Sequence, residues 1–232
     1  MYSDTYETLH ESRRLRVNAY VTRLALWVSL ALLPLPALPA DLNSLLKGIE
    51  DHYNHAKTLE VHFAESYSVQ GHARKSESGE LTLRKPGRMR WDYTSPAGKL
   101  FVSDGKDVYL YTPDAHRVEK TRLKASEDMR TPLAFLLGKL DFEKDFHDFE
   151  LKPEGADYWI TAKAKSDKLP YDHIEMLVTP SDEIQRLVIN GQDQSVLTFQ
   201  FDGEKLNPPV NDALFKFQMP ANATLVASEG SQ

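Results

Sequence analysis

No cysteine occurs among the 232 residues. No disulfide can staple such a chain, so its fold must rest on its apolar core. The same absence removes any site for acylation of an N-terminal cysteine, so the chain is not itself a bacterial lipoprotein. Basic clusters are missing beyond the first 25 residues, and the formal net charge is −6. A nucleic-acid partner is therefore excluded, because it requires a cationic face that displaces counterions. A hydrophobic run long enough to span a bilayer comfortably is also lacking. Metal and catalytic signatures are equally scarce. Among the eight histidines there is no His-Glu-x-x-His, and His52, His55 and His62 read as a solvated, charged surface. There is no Gly-x-Ser-x-Gly, and Asp141–Glu150 lacks the glycine-centred spacing of a calcium loop. That stretch reads as an exposed turn anchored by Phe142, Phe146 and Phe149. No cofactor, metal or catalytic residue is expected.

Apolar residues make up 41 % of the chain and charged residues 27 %, as in a folded globular protein. The one strongly apolar run, residues 24–38, is short and broken by Pro34 and Pro36. Arg13, Arg14, Arg16 and Arg23 precede it and Leu38-Pro39-Ala40 follows, the layout of a secretory signal peptide cleaved after Ala40. The acidic stretch before Val21 departs from that layout. It reads as lying upstream of a true start at Val17 or Val21, the other reading being a long but working n-region. Residues 1–40 are thus expected to be a leader and 41–232 a single exported domain. Without the leader's three acids and four arginines, 31 acids face 24 bases, a net charge of −7.

The exported part opens with a helix, since Leu42, Leu45, Leu46, Ile49, Tyr53 and Ala56 form one stripe that Asn43 or Asp41 can cap. After Lys57 the apolar period changes from 3.6 to 2, which marks a half-buried strand over 59–69. Strands then follow at 80–85, 88–93, 99–103, 106–112 and 116–121, with a hairpin turn at Asp104-Gly105. A second series occupies 148–152, 157–164, 171–179, 183–190 and 195–201, with a turn at Asn190-Gly191. Between the series, Thr131 (N-cap), Pro132 (N1) and Gly138 (C′) delimit a short apolar helix, which must dock because so short a helix does not hold in water. The spacing predicts an α+β domain, mainly an antiparallel sheet of eleven strands with two helices against its apolar face.

The stretch from Gly79 to Gly138 carries Lys85-Pro86, Arg90-Trp91-Asp92-Tyr93, Val102-Ser103-Asp104-Gly105 and Tyr111-Thr112-Pro113, then the Thr131-Pro132-Leu133 helix. Together with Phe215-Lys216-Phe217-Gln218-Met219-Pro220 and Val226, these motifs resemble the outer-membrane lipoprotein carrier family, LolA, over residues 41–227. The resemblance implies an unclosed half β-barrel of eleven strands whose helices form a lid over an apolar cavity. It implies a monomeric periplasmic carrier that takes triacylated lipoproteins from an inner-membrane ABC transporter to an outer-membrane acceptor lipoprotein. Leu81, Leu83, Met89, Trp91 and Tyr93 are the expected lining of the cavity, with Leu133, Phe135, Leu136 and Leu137 from the lid. The other reading of these residues is a filled core. The family pattern places an arginine before the proline, where it bonds to the lid; here Lys85 stands there, with Arg84 before it, so the latch is expected to be weaker or differently built. Two further readings share the fold. One is carriage of a phospholipid, glycolipid or hopanoid; the other is a regulatory sensor of mislocalised lipoproteins, which would carry an additional domain.

Overall fold

The computed structural model describes residues 41–123, 140–167 and 169–227. The expected leader and the expected Thr131–Gly138 helix, with Leu133, Phe135, Leu136 and Leu137, lie outside these residues.

The first element, α1 (Leu42–His55), begins at Asp41, whose carboxylate accepts from the Ser44 backbone N–H at 3.2 Å. A carboxylate there satisfies an amide that the first helical turn leaves open and complements the helix dipole. Leu45, Leu46, Ile49 and Tyr53 bury one stripe of the helix, as their spacing predicts.

The remainder is one sheet. Its strands are β1 (Thr58–Val69), β2 (His72–Ala73), β3 (Glu77–Arg84), β4 (Arg88–Ser95), β5 (Leu100–Asp104), β6 (Asp107–Thr112) and β7 (Arg117–Arg122). After a single-turn helix α2 (Phe142–Asp145) come β8 (Phe146–Glu154), β9 (Asp157–Ala164), β10 (Tyr171–Val178), β11 (Ile184–Gly191) and β12 (Ser195–Leu206). A 3-10 turn (Asp212–Phe215) and β13 (Thr224–Ala227) close the described chain. The order is β13-β7-β6-β5-β4-β3-β1-β12-β11-β10-β9-β8, with β2 attached to β1. Strands β3 to β7 and β8 to β12 each pair antiparallel with the next in sequence, as short turns dictate, and β1 pairs with β3 across the short β2. The two series meet where β1 pairs with β12, from Leu59↔Leu206 to Val69↔Ser195. No pairing joins β8 to β13 among the described residues, so the sheet is unclosed. Its apolar side chains form one core that also takes in the α1 stripe.

Eleven of the thirteen strands are those expected, and the other two carry little period-2 signal. The two-residue β2 is too short to show one, and β13 follows a stretch without regular structure. The latter pairs parallel with β7, from Thr224↔Arg117 to Ala227↔Lys120. Four local expectations need correction. The turn placed at Asp104-Gly105 falls one residue later, at Gly105-Lys106, because Asp104 ends β5 opposite Arg88. The turn placed at Asn190-Gly191 falls later, at Gln192-Asp193, because both earlier residues are held in the β10–β11 ladder. The stretch Asp141–Glu150 is not an exposed turn: it forms α2 and the start of β8, with Phe142 and Phe146 buried. The last long strand does not stop at Phe201. It continues through Asp202-Gly203, where Gly203 takes a positive φ of 66° and the register slips, to Leu206.

Gly79 sits between Phe63 on β1 and Tyr93 on β4 in the cross-strand register. With no side chain between them, the Phe63 and Tyr93 rings meet edge-to-face at 5.1 Å. A Cβ on residue 79 would collide with the Asp92 carbonyl oxygen and lie 2.8 Å from Tyr93 Cα. Backbone atoms do not yield as a flexible side chain does. Gly79→Ala is expected to part β3 from β4 and to cost about 2 kcal/mol of stability, in the range of overpacked cores. A urea midpoint equal to that of the unsubstituted protein would refute this close approach.

Candidate functional site

Strand registers arrange the concave face in rows. Next to α1 lie Leu59, Leu83 and Met89; the next row is Val61, Leu81, Trp91 and Phe101; then come Phe63 and Tyr93 around Gly79. In the other half, Phe199, Leu187, Met176 and Ile160 form one row, and Leu197, Ile189, Ile174 and Ala162 another. The first row continues through the buried Ser103, opposite Met89, and in the fourth row of the first half the face turns polar, where Glu65 stands opposite Glu77. Lys99 pairs with Glu77 and lies over the Tyr93 ring at 4.4 Å.

All five sheet residues expected to line a cavity are brought together on this face. Leu81 and Trp91 are fully buried, and Leu83, Met89 and Tyr93 nearly so. Trp91 packs edge-on to Phe63 at 4.6 Å and tilted against Phe199 at 5.5 Å. Its indole N–H donates to the Met89 sulfur at 3.2 Å, which leaves no polar atom of that ring unsatisfied. Here these side chains fill one another's space. A cavity of about 10 Å³ remains beside them, between Tyr53, Ala56, Leu59, Leu83 and Lys85.

The cover over the first row is α1, and a ring of polar contacts holds it. Lys85 Nζ donates to the Tyr53 carbonyl at 2.7 Å, in the last turn of the helix, where a cation is favoured. Burial pulls this ammonium below the usual lysine range. Arg84, one residue earlier, faces the opposite side of the sheet as its alternation predicts. It donates to the Val210 carbonyl at 2.8 Å and pairs with Asp212, which also holds Arg88 at 2.9 Å. With Arg90 on the Leu214 carbonyl, three arginines strap the C-terminal segment to the convex face. Thus Lys85 holds α1, and Arg84 holds a different segment.

At the other flank of the helix, His52 Nε2 lies 2.6 Å from Glu204 Oε1, and the Tyr53 hydroxyl donates to Glu204 Oε2 at 2.9 Å. That hydroxyl in turn accepts from the Ile184 backbone N–H at 2.9 Å. The carboxylate is almost wholly buried, and a buried charge persists only with such partners. Strand alternation alone would turn Glu204 outward with Gln200 and Asp202. Two residues, Gly203 and Glu204, occupy the place opposite Val61, so the bulge turns Glu204 inward. The sequence reading missed both partners. His52 is not on a solvated face; it lies three residues after Ile49 and seven after Leu45, at the edge of the apolar stripe. His55 and His62 are exposed, as expected.

Helix α1 also grips the chain that re-enters the described structure at Leu140. The Asn54 amide donates to the Leu140 carbonyl at 2.8 Å and its oxygen accepts from the Leu140 N–H at 2.7 Å, as a neighbouring strand would. Glu50 accepts from the Phe142 N–H at 2.7 Å. Asn54→Ala removes both partners of a buried backbone unit, at an expected cost of about 2 kcal/mol. Faster amide exchange at Leu140–Phe142 should accompany it, and unchanged exchange there would refute the anchoring role.

Residues 54–218 match the profile of the family described as outer membrane lipoprotein carrier protein LolA. The chain is similar to the outer-membrane lipoprotein carrier protein of Nitrosospira multiformis, 27 % identical over 180 residues that cover 77 % of this chain and 86 % of that one. It is also similar to the carrier of Nitrosomonas europaea, 27 % identical over 209 residues covering 89 % and 99 %. Among solved structures it resembles a LolA superfamily protein of Nitrosomonas europaea, with a TM-score of 0.44, 12 % identity and coverage of 77 % and 98 %. The profile spans most of the domain, from the last turn of α1 past the C-terminal strap, and on that ground the chain belongs to the outer-membrane lipoprotein carrier family.

Proposed function

We propose that the protein carries triacylated lipoproteins through the periplasm by holding their acyl chains against the concave face of the sheet. The observation that carries this reading is the broad apolar surface of that face, from Leu59 and Leu83 to Ile160 and Ala162, covered by a helix that polar contacts hold at its edges. Acyl chains shielded there leave water at about 0.8 kcal/mol per methylene, so a sixteen-carbon chain gains on the order of 12 kcal/mol. A carrier must supply a comparable environment and still release its cargo. Loosely held cover and adaptable side chains such as Met89 and Met176 serve both ends. Leu81, Leu83, Met89, Trp91 and Tyr93 would then change partners when chains enter, with Leu133, Phe135, Leu136 and Leu137 contributing from the segment after Thr131. Lys85 supports the closed arrangement through α1.

Residues 1–40 serve as the export leader in this reading. An inner-membrane ABC transporter loads the carrier, and an outer-membrane acceptor lipoprotein receives the cargo. The chain acts as a monomer, with neither a cofactor nor catalysis. The half-barrel also suits a phospholipid, glycolipid or hopanoid, which the apolar face would shield in the same way.

The protein recovered from a bacterial periplasm is expected to show bound triacylated lipoprotein in native mass spectrometry. Free phospholipid in its place, with no lipoprotein taken up when supplied, would overturn the cargo. Phe135→Glu is expected to abolish binding of a triacylated lipopeptide while the β-sheet circular dichroism stays intact. Unchanged affinity in that variant would remove Phe135 from the binding surface.

A further inference from the structure

The docking of α1 is electrostatically lopsided at its β12 flank. Facing His52 are Glu204 from β12 and the β10–β11 turn with Asp182 and Glu183. The helix itself adds Asp51, next to Asp182, together with the Tyr53 hydroxyl and the exposed His55. On the β3–β4 corner, Lys85 is engaged with a backbone carbonyl. The turn is rigidly placed: Thr179 Oγ1 accepts from the Ser181 and Glu183 backbone N–H groups at 3.3 and 3.2 Å. Gly48 lets α1 press against it, since a Cβ there would lie 2.5 Å from Asp182 Cγ. Carboxylates therefore converge on a single imidazole, and that imidazole is the group among them that titrates near neutrality.

We infer that His52 and Glu204 form a proton-controlled latch that holds α1 over the concave face, tight when the imidazole is protonated and loosened when it is neutral. The neutral ring still offers one N–H to Glu204, so the latch weakens rather than breaks. What it loses is the charge that offsets Glu204, Asp182 and Glu183. The bond to Glu204 holds the His52 pKa above its ordinary value, against a burial that pulls it down. Burial likewise lifts the Asp182 and Glu183 carboxyls above their usual range. A histidine pKa raised in the docked state contributes fully below the unfolded value of about 6.5, and its contribution disappears as pH rises through the docked value. Loosening thus occurs on the alkaline side. Because Asn54 and Glu50 hold Leu140 and Phe142, the chain re-entering at Leu140 loosens with the helix. The consequence for acyl chains rests on the proposed carrier function; the latch itself does not.

Hydrogen–deuterium exchange of the full chain, corrected for intrinsic rates, tests it at about pH 6 and about pH 8.5. Protection of the α1 amides is expected to fall about tenfold relative to β10–β11 on the alkaline side. In His52→Gln, which keeps a donor without the charge, α1 protection should be low and equal at both pH values. A wild-type α1 that keeps its protection relative to the sheet, or an undiminished fall in His52→Gln, overturns the latch. Uptake of a synthetic triacylated lipopeptide, followed in parallel, should be faster at the higher pH in wild type and pH-independent in His52→Gln. An exchange difference without lipopeptide binding at any pH upholds the latch and overturns the carrier reading. Binding at one rate at both pH values, without an exchange difference, does the reverse.

Discussion

A sheet that curls without closing must cover its concave face with something other than itself. Period-2 alternation in eleven strands collects the apolar side chains on one surface, and water on that surface would undo the fold. Helix α1 meets part of this demand, and much of the local detail exists to seat it: Gly48 against Asp182, Lys85 on the Tyr53 carbonyl and the inward turn of Glu204. A cover fixed mainly by apolar packing would be hard to lift. One fixed partly by charged contacts at its rim can be loosened without dismantling the sheet beneath.

The convex face follows a different logic. Val102, Val118 and Phe215 are buried on that side or near it, outside the main core, and the three arginines of β3 and β4 draw the C-terminal segment over them. Tyr109 stacks on Phe217 at 4.7 Å, and β13 then adds to β7. The single core thus has a small buried group behind it, across the sheet, which the C-terminal segment covers.

Most of this was legible in the sequence because most of it is periodic. The α1 stripe, eleven strands and the common face of Leu81, Leu83, Met89, Trp91 and Tyr93 all follow from spacing, while the cap was narrowed only to Asn43 or Asp41, of which Asp41 serves. What escaped is aperiodic. Asp202-Gly203 has the composition of a turn, yet here it is a bulge, and only the pairing with β1 distinguishes the two. Once that strand was ended early, Glu204 had no place on the concave face, and His52 had no partner to draw attention to it. Asn54 and Glu50 act on backbone groups of residues 140 and 142, and a backbone partner leaves no mark in side-chain patterns. The parallel pairing of β13 depends on where an irregular segment happens to return, which no local preference encodes.

The pairing of β1 with β12 also orders events in time. Every other long pairing joins neighbours in sequence, so each forms by closing a short loop, whereas this one waits until nearly the whole domain has emerged. Until then one edge of β1 stays open, with Val61 and Phe63 beside it, a template for any stray strand. Glu204 arrives with β12, so its contact with α1 is assembled only once the two series of strands are joined. The cover is therefore fastened at this flank only when both halves of the concave face are in place.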